Sequence, residues 1–267
     1  MWIWFALLAL LAYLFAAWRA FDRAGGAVRV GPVPLWPGLV AATLHALALA
    51  LSWRADGGVA LSFPLAVSAI GLTLVDVFLL ICWTRPLLQL GTAIYPIAAL
   101  SVLVQVGLGL VEGGTPKPLT DWRILLHAGL ALLAFSTLLM GAVAAVMLSL
   151  QERALKARRF AAWMERVPPL TQVEALVFHL ITAGFVLLTL ALLTGALFVE
   201  NLLAQHLAHK TVLSVVAWLV YGGLLLARWR LGMRGQRAAR WVWVATVFLS
   251  LAFLGSKFVL EVLLQRG

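Results

Sequence analysis

Charge is scarce in this chain of 267 residues. Only 11% are Asp, Glu, Lys or Arg, 64% fall in the apolar class, and the mean hydropathy is +1.03. A soluble domain averages about 25% charged and about 45–50% apolar residues, and one globule of this size cannot hide the excess. A soluble enzyme is excluded; the chain reads as an integral membrane protein. Cysteine is nearly absent as well. Cys82 is the only one, so neither a CxxC thiol oxidoreductase nor covalent haem attachment through CxxCH can operate on this chain. Cys82 itself reads as a small buried apolar residue. Walker, Rossmann and HExxH patterns are missing too, so ATP hydrolysis would require a partner and zinc hydrolysis carries little weight.

What is present is a series of long apolar runs. Charge-free stretches cover 2–18, 30–53, 57–75, 86–111, 124–151, 175–199, 211–227 and 241–256. A helix needs about 20 such residues to cross a hydrocarbon core of about 30 Å. Pro32, Pro34 and Pro37 trim the second run to 37–53, and the third tolerates Asp76 and continues to Trp83. None alternates in the manner of a membrane β-barrel. The expectation is an all-α, polytopic bundle of eight transmembrane helices, a single integral membrane domain over 1–267. Nothing basic precedes the first run, which reads as a spanning helix and not a cleaved signal.

Fourteen of the twenty Lys and Arg residues fall after helices one, three, five and seven. The positive-inside rule then places both termini outside, on the periplasmic face of a bacterial inner membrane. The net charge of +10 is mostly this topological signal and partly an attraction to anionic lipid; it calls for no nucleic acid. Most of the twelve tryptophans, among them Trp2, Trp18, Trp53, Trp83, Trp122 and Trp241, stand near helix ends as an interfacial belt. Trp163, in an inner loop, and Trp218, within helix seven, are exceptions. Residues 151–170, with their patterned charges, read as an amphipathic segment on the inner leaflet.

Ionisable groups inside a bilayer are costly, which makes each a functional candidate. His45 sits near the middle of helix two, His179 in the inner half of helix six, and His127 about one turn into helix five from the outer surface. His206 and His209 fall in the outer connection between helices six and seven. No histidine lies in a cytoplasmic loop. Neutral imidazole is a common ligand of haem iron, and in a bundle such ligands come from facing helices. The plainer reading has a histidine bonding a backbone carbonyl or a Ser or Thr on a neighbouring helix. The pair His206 and His209, three apart, is by itself a weak zinc signal. Asp76 reads either as a proton relay or as an internal hydrogen bond to Thr73 or a neighbouring helix. Gln105 and Glu174 read as interhelical hydrogen-bond groups, and Lys257 with Glu261 as a local pair. Gly107, Gly109, Gly222 and Gly223 read as points of close helix approach or bending.

The C-terminal half carries a resemblance. The stretch 123–150, "RILLHAGLALLAFSTLLMGAVAAVMLSL", is similar to the helix of cytochrome c assembly proteins that opens with an outward-facing histidine. The run "LLTGALFVENLLAQHLAHKTVLSVVAWLVYGGLLLARWRLGMRGQRAARW" resembles that family's most characteristic region, with Gly195, Trp218, Tyr221, Arg228, Gly232, Gly235 and Ala238 at the family spacing. The resemblance covers about 120–264 and, with the eight-helix length, points to the short, HemX-like branch of CcsA-like proteins. The tryptophan-rich WGxxWxWDxxE segment of full haem-presenting members is absent. In its place 200–210 reads "ENLLAQHLAHK", whose His209-Lys210 resembles the "HK" of that branch. Leu226 stands where many members carry a second intramembrane histidine.

This resemblance implies a haem-handling membrane protein that does not itself catalyse bond formation. His127 and His209 are the expected ligands of a haem b iron at the outer face, with His45 and His179 as a possible second pair in the bilayer. The propionates would lie near Arg123, Lys117 or Lys210. Implied partners are the lipid bilayer, haem, and a cytochrome c maturation or haem-pathway protein. The alternative is a regulatory or scaffold protein of the same fold that binds no haem. A proton-coupled transporter is disfavoured because no matching pair of broken helices is visible. A b-type electron carrier is disfavoured by the unequal depths of His45 and His179.

Overall fold

The computed structural model describes residues 1–25, 35–84, 87–110, 118–158, 168–198 and 205–255, excepting the side chains of 23–25 and 205–208. Eight helices follow in chain order: α1 (Trp2–Gly25), α2 (Trp36–Ala55), α3 (Phe63–Thr84), α4 (Gly91–Gly109), α5 (Trp122–Lys156), α6 (Leu170–Phe198), α7 (Gln205–Leu231) and α8 (Gly235–Ser250). A 3₁₀ turn, Leu88–Leu90, leads into α4, and a π turn, Leu251–Gly255, continues α8. All eight segments are long and apolar enough to cross a membrane.

Most helices overrun the charge-free windows. Those windows mark the part that must lie in hydrocarbon, whereas the helix itself continues into the headgroup region where charge is tolerated. α5 runs on through Glu152, Arg153 and Lys156 to 35 residues, about 50 Å at 1.5 Å per residue. Eight of the twenty residues of the segment expected as a surface helix, 151–158, are therefore the end of α5 and its cap; residues 159–167, Trp163 included, lie outside the described residues, as do Lys257 and Glu261. α3 begins at Phe63 and not near 57. The intervening chain turns at Gly57, whose φ is +81°, and is pinned by Trp53 Nε1 on the Ala60 carbonyl (2.8 Å) and by Leu119 N on the Val59 carbonyl (2.7 Å).

The helices form two compact units. In the first, α1 packs on α2 and α4, and α3 closes the ring against both. On α1 the buried positions are Ala6, Ala9, Tyr13, Ala16 and Ala20, spaced three and four apart, while Trp4, Leu8, Leu11 and Trp18 point outward. Small residues on that seam let backbones approach where no hydrophobic effect drives association. Phe78, Leu74, Ile94 and His45 complete the interior. In the second unit α5 packs on α6 and α8, and α7 lies against both of these. Its interior holds Leu138, Met140, Leu148, Ile181 and Tyr221. Gly184 admits Leu138 at a distance that leaves no room for a side chain.

Local chemistry sets the ends. The Asp121 carboxylate accepts from Arg123 N at 2.9 Å and caps α5. α7 stops at Gly232, φ +64°, where Gly232 N bonds the Arg228 carbonyl and Met233 N the Ala227 carbonyl. The bond from Gly232 N to the Arg228 carbonyl is the αL helix stop, which a glycine in the left-handed region makes without steric cost.

Candidate functional site

Within the first unit every helix contributes one side chain to a single buried hydrogen-bond chain. Tyr13 of α1 lies 3.1 Å from His45 Nδ1 on α2; His45 Nε2 lies 2.7 Å from Ser68 Oγ on α3; Ser68 donates to Gln105 Oε1 on α4 at 2.5 Å. The directions follow from counting protons. Ser68 has one proton and gives it to Gln105, so Nε2–H of His45 donates to Ser68 and Nδ1 accepts from the Tyr13 hydroxyl. His45 is fully buried, and both ring nitrogens are engaged. Gln105, only 1% exposed, ends the chain with an Nε2 that has no partner among the described residues. An iron at His45 would have to displace Tyr13 or Ser68.

His127 is set differently. In the second unit it projects from α5 onto α6, half-buried, with Nδ1 at 2.9 Å from the Ala191 carbonyl and 3.3 Å from Thr194 Oγ1. A carbonyl only accepts, so Nδ1 carries the proton and Nε2 holds the lone pair. Among the described residues Nε2 has no hydrogen-bond partner. Gly195 makes the approach possible, because a Cβ there would stand 3.0 Å from His127 Cε1. One turn earlier Arg123 lies between Trp122 and Phe198, about 6 Å from each ring. The arrangement at this end is thus an oriented imidazole with a free nitrogen, a guanidinium four residues away on the same helical face, and two aromatic rings.

The remaining candidates make no hydrogen bond to His127 among the described residues. His209 is exposed in the first turns of α7, which begins at Gln205, so the expected outer connection is helical at this point. The side chain of His206 lies outside the described residues. His179 is exposed on α6, and it belongs to a different unit from His45. No group of three or more His, Cys, Asp or Glu capable of holding a metal ion occurs among the described residues. Asp76 is exposed, and Thr73 donates back to the carbonyls of Ala69 and Ile70, one and nearly one turn before it. Of the four glycines singled out, Gly222 meets Phe185 at 3.3 Å and Gly109 meets Trp2 at 3.7 Å, while Gly107 and Gly223 face open space. Cys82 is buried and free.

The opposite end of the second unit is an ionic clasp. Glu174 on α6 receives Arg228 at 2.7 Å and Arg234 at 3.1 Å, and Arg228 stacks over Phe178 at 4.4 Å. Glu152 on α5 accepts Gln236 N at 2.6 Å, which caps α8, and also takes Lys156 at 2.7 Å. Gly235 is required twice there: its φ is +60°, and a Cβ would collide with the Glu152 carboxylate. Between the two ends, Trp218 donates to Thr189 and stacks on Phe185, and the Tyr221 and Thr246 hydroxyls bond at 2.8 Å. Sequence reasoning had not anticipated Tyr13, Ser68, Thr194 or Glu152 in these roles.

Comparison with known proteins gives a consistent picture. The profile described as Cytochrome C assembly protein matches residues 37–264. The chain is 31% identical to the Inner membrane protein YpjD of Escherichia coli (strain K12), covering 97% of this chain and 98% of that one. It is 26% identical to the Cytochrome c biogenesis protein CcsA of Synechococcus sp. (strain RCC307), over 93% and 90% of the two chains. It is 41% identical to a 28.8 kDa protein of Azospirillum brasilense, a match that spans 58% of this chain and 56%, little more than half, of that relative. No solved structure matches. The protein is a multi-pass protein of the inner membrane.

Proposed function

The chain belongs to the cytochrome C assembly protein family, and from that premise we propose that it binds haem b near the outer face of the membrane through His127. It acts as a carrier, with no bond-forming chemistry of its own. The observation that carries this reading is the commitment of His127 Nδ1 to the Ala191 carbonyl, which fixes the tautomer and leaves Nε2 open. Metal-binding histidines are characteristically oriented in this way. Haem, when bound, supplies an iron that takes axial imidazoles and two propionates that call for cationic partners. His127 Nε2 would hold the iron, together with His209, exposed at the start of α7. Arg123 would meet a propionate, and Trp122 and Phe198 would line the apolar approach. His45, with both nitrogens taken, holds the first unit together instead.

The orientation belongs to the same proposal. In the second unit the basic side chains of Arg153, Lys156, Arg228, Arg234, Arg237 and Arg240 collect at the clasp end, and His127 lies at the other end of α5. The positive-inside rule then turns His127 outward. An even number of spans brings both termini to that same periplasmic side. The recipient would be a cytochrome c maturation or haem-pathway protein reached from there.

The test is the visible spectrum of detergent-purified protein, oxidised and dithionite-reduced, beside His127→Ala/His209→Ala. A Soret band with sharp reduced bands, lost in the double variant, is the expected result. Bands that persist in the variant move the site to other histidines. Folded, colourless protein after expression with added haem sinks the haem reading and leaves a scaffold of the same fold.

A further inference from the structure

The clasp end of the second unit also carries cations that the fold does not use. Lys156, Arg234, Arg237 and Arg240 line one open cleft of about 470 Å³ between the end of α5 and the start of α8. The three arginines recur every third residue, which sets them along one stripe of α8 and its cap. Lys156 is already paired with Glu152, and Arg234 with Glu174. Arg237 and Arg240 have neither hydrogen bond nor ion pair among the described residues, and both are exposed. The one carboxylate lining the cleft, Glu152, is consumed by Gln236 N and Lys156. Among the described residues the cleft therefore holds four cations against one carboxylate, and Arg237 and Arg240 carry no partner.

The rim is apolar. Leu231, 80% exposed, and Met233 line the same cleft. A small hydrophilic anion would gain nothing from these groups, whereas an amphiphile would place its headgroup on the guanidinium stripe and its chains along Leu231. Planar guanidinium groups match phosphate oxygens in paired hydrogen bonds, and basic pockets at the ends of membrane helices suit anionic headgroups. We infer that this cleft is a phosphate-binding site, and that the phosphodiester headgroup of an anionic phospholipid occupies it.

Native mass spectrometry of the full-length protein released from detergent tests this, with phosphatidylglycerol, phosphatidylcholine of the same acyl chains, or inorganic phosphate alone added. A retained phosphatidylglycerol adduct, weakened on the order of 20-fold in Arg237→Gln/Arg240→Gln and unchanged in Arg54→Gln, is expected. Both substituted residues are exposed and outside the clasp, and circular dichroism of the double variant confirms that it folds. Equal retention of the two lipids, or an adduct indifferent to the double substitution, overturns the proposal. Saturable binding of phosphate in the absence of lipid, with no preference for phosphatidylglycerol, keeps the phosphate site and overturns the lipid as its occupant.

Discussion

His45 and His127 each face a neighbouring helix within a four-helix unit, yet they are held in opposite tautomers. His45 donates from Nε2 to Ser68 and accepts at Nδ1 from Tyr13. His127 donates from Nδ1 to the Ala191 carbonyl and keeps Nε2 open. The difference lies in the partners. A hydroxyl on each side satisfies both nitrogens of an imidazole, whereas the Ala191 carbonyl and Thr194 hydroxyl share one nitrogen of His127 and leave the other to face outward. Burial alone would have ranked His45 as the stronger ligand candidate. Hydrogen-bond accounting reverses that order.

The largest effect that separates the two is on stability. His45→Ala opens a cavity in a fully buried position and orphans the Tyr13 and Ser68 hydroxyls, so it costs about 3 kcal/mol. His127→Ala, half-buried with one ring N–H shared between the Ala191 carbonyl and Thr194 Oγ1, costs about 1 kcal/mol. Unfolding in mixed micelles, followed by circular dichroism, measures both. The haem readout runs the other way: His45→Ala retains the bound haem per folded chain and His127→Ala loses it. Equal haem loss in the two variants would erase the distinction drawn between them.

A second contrast lies within the α5–α8 unit, between its His127 end and its clasp end. Glu174→Gln removes the charge that holds Arg228 and Arg234 together, leaving Arg228 partly buried above Phe178 with a neutral amide oxygen and the Met233 carbonyl as acceptors. The pair is not fully desolvated, so the cost is about 2 kcal/mol, below that of breaking a wholly buried pair. Thermal unfolding should show it, with haem content per folded chain unchanged. A variant as stable as the parent would mean that the clasp is ornamental and that Gly232 and Gly235 alone set the α7–α8 turn.

The sequence exposed some of this and concealed the rest for identifiable reasons. Eight spans were legible because hydrocarbon thickness imposes a minimum apolar length, and charge interrupts it cleanly. The ends were not, since a helix passes the headgroups without any change in its backbone; α5 through Lys156 is the clearest case. Gln105 and Glu174 were legible as interhelical groups because polar side chains at such positions must find partners. Their partners were not. Tyr13, His45, Ser68 and Gln105 are separated by 32, 23 and 37 residues, and no period within one helix reports the rotation of another. The residues on which the family resemblance rests acquire physical roles in the structure. Gly195 admits His127, Trp218 and Tyr221 tie α7 to α6 and α8, Arg228 enters the clasp, Gly232 and Gly235 shape the turn, and Ala238 is fully buried.

Gly195 offers the finest test of the contrast between the histidines, because it alters the orientation of His127 without removing any group. An alanine Cβ would lie 3.0 Å from Cε1 and 3.3 Å from Nδ1 of the ring, so the ring must move by a few tenths of an ångström. That motion stretches the bond from Nδ1 to Ala191, the contact that fixes the tautomer. Alanine is also the better helix former by about 1 kcal/mol, which offsets the crowding, and Gly195→Ala should unfold within a few degrees of the parent. Haem should still bind, with an affinity lowered by about threefold to tenfold and a displaced reduced band, since weaker orientation of a ligating histidine acts on the metal through its second-shell partner. Titration of the apoprotein with haem measures the first and difference spectroscopy the second. Unchanged affinity and bands would show that the Ala191 carbonyl does not govern this imidazole, and the ordering of His127 over His45 would lose its physical basis.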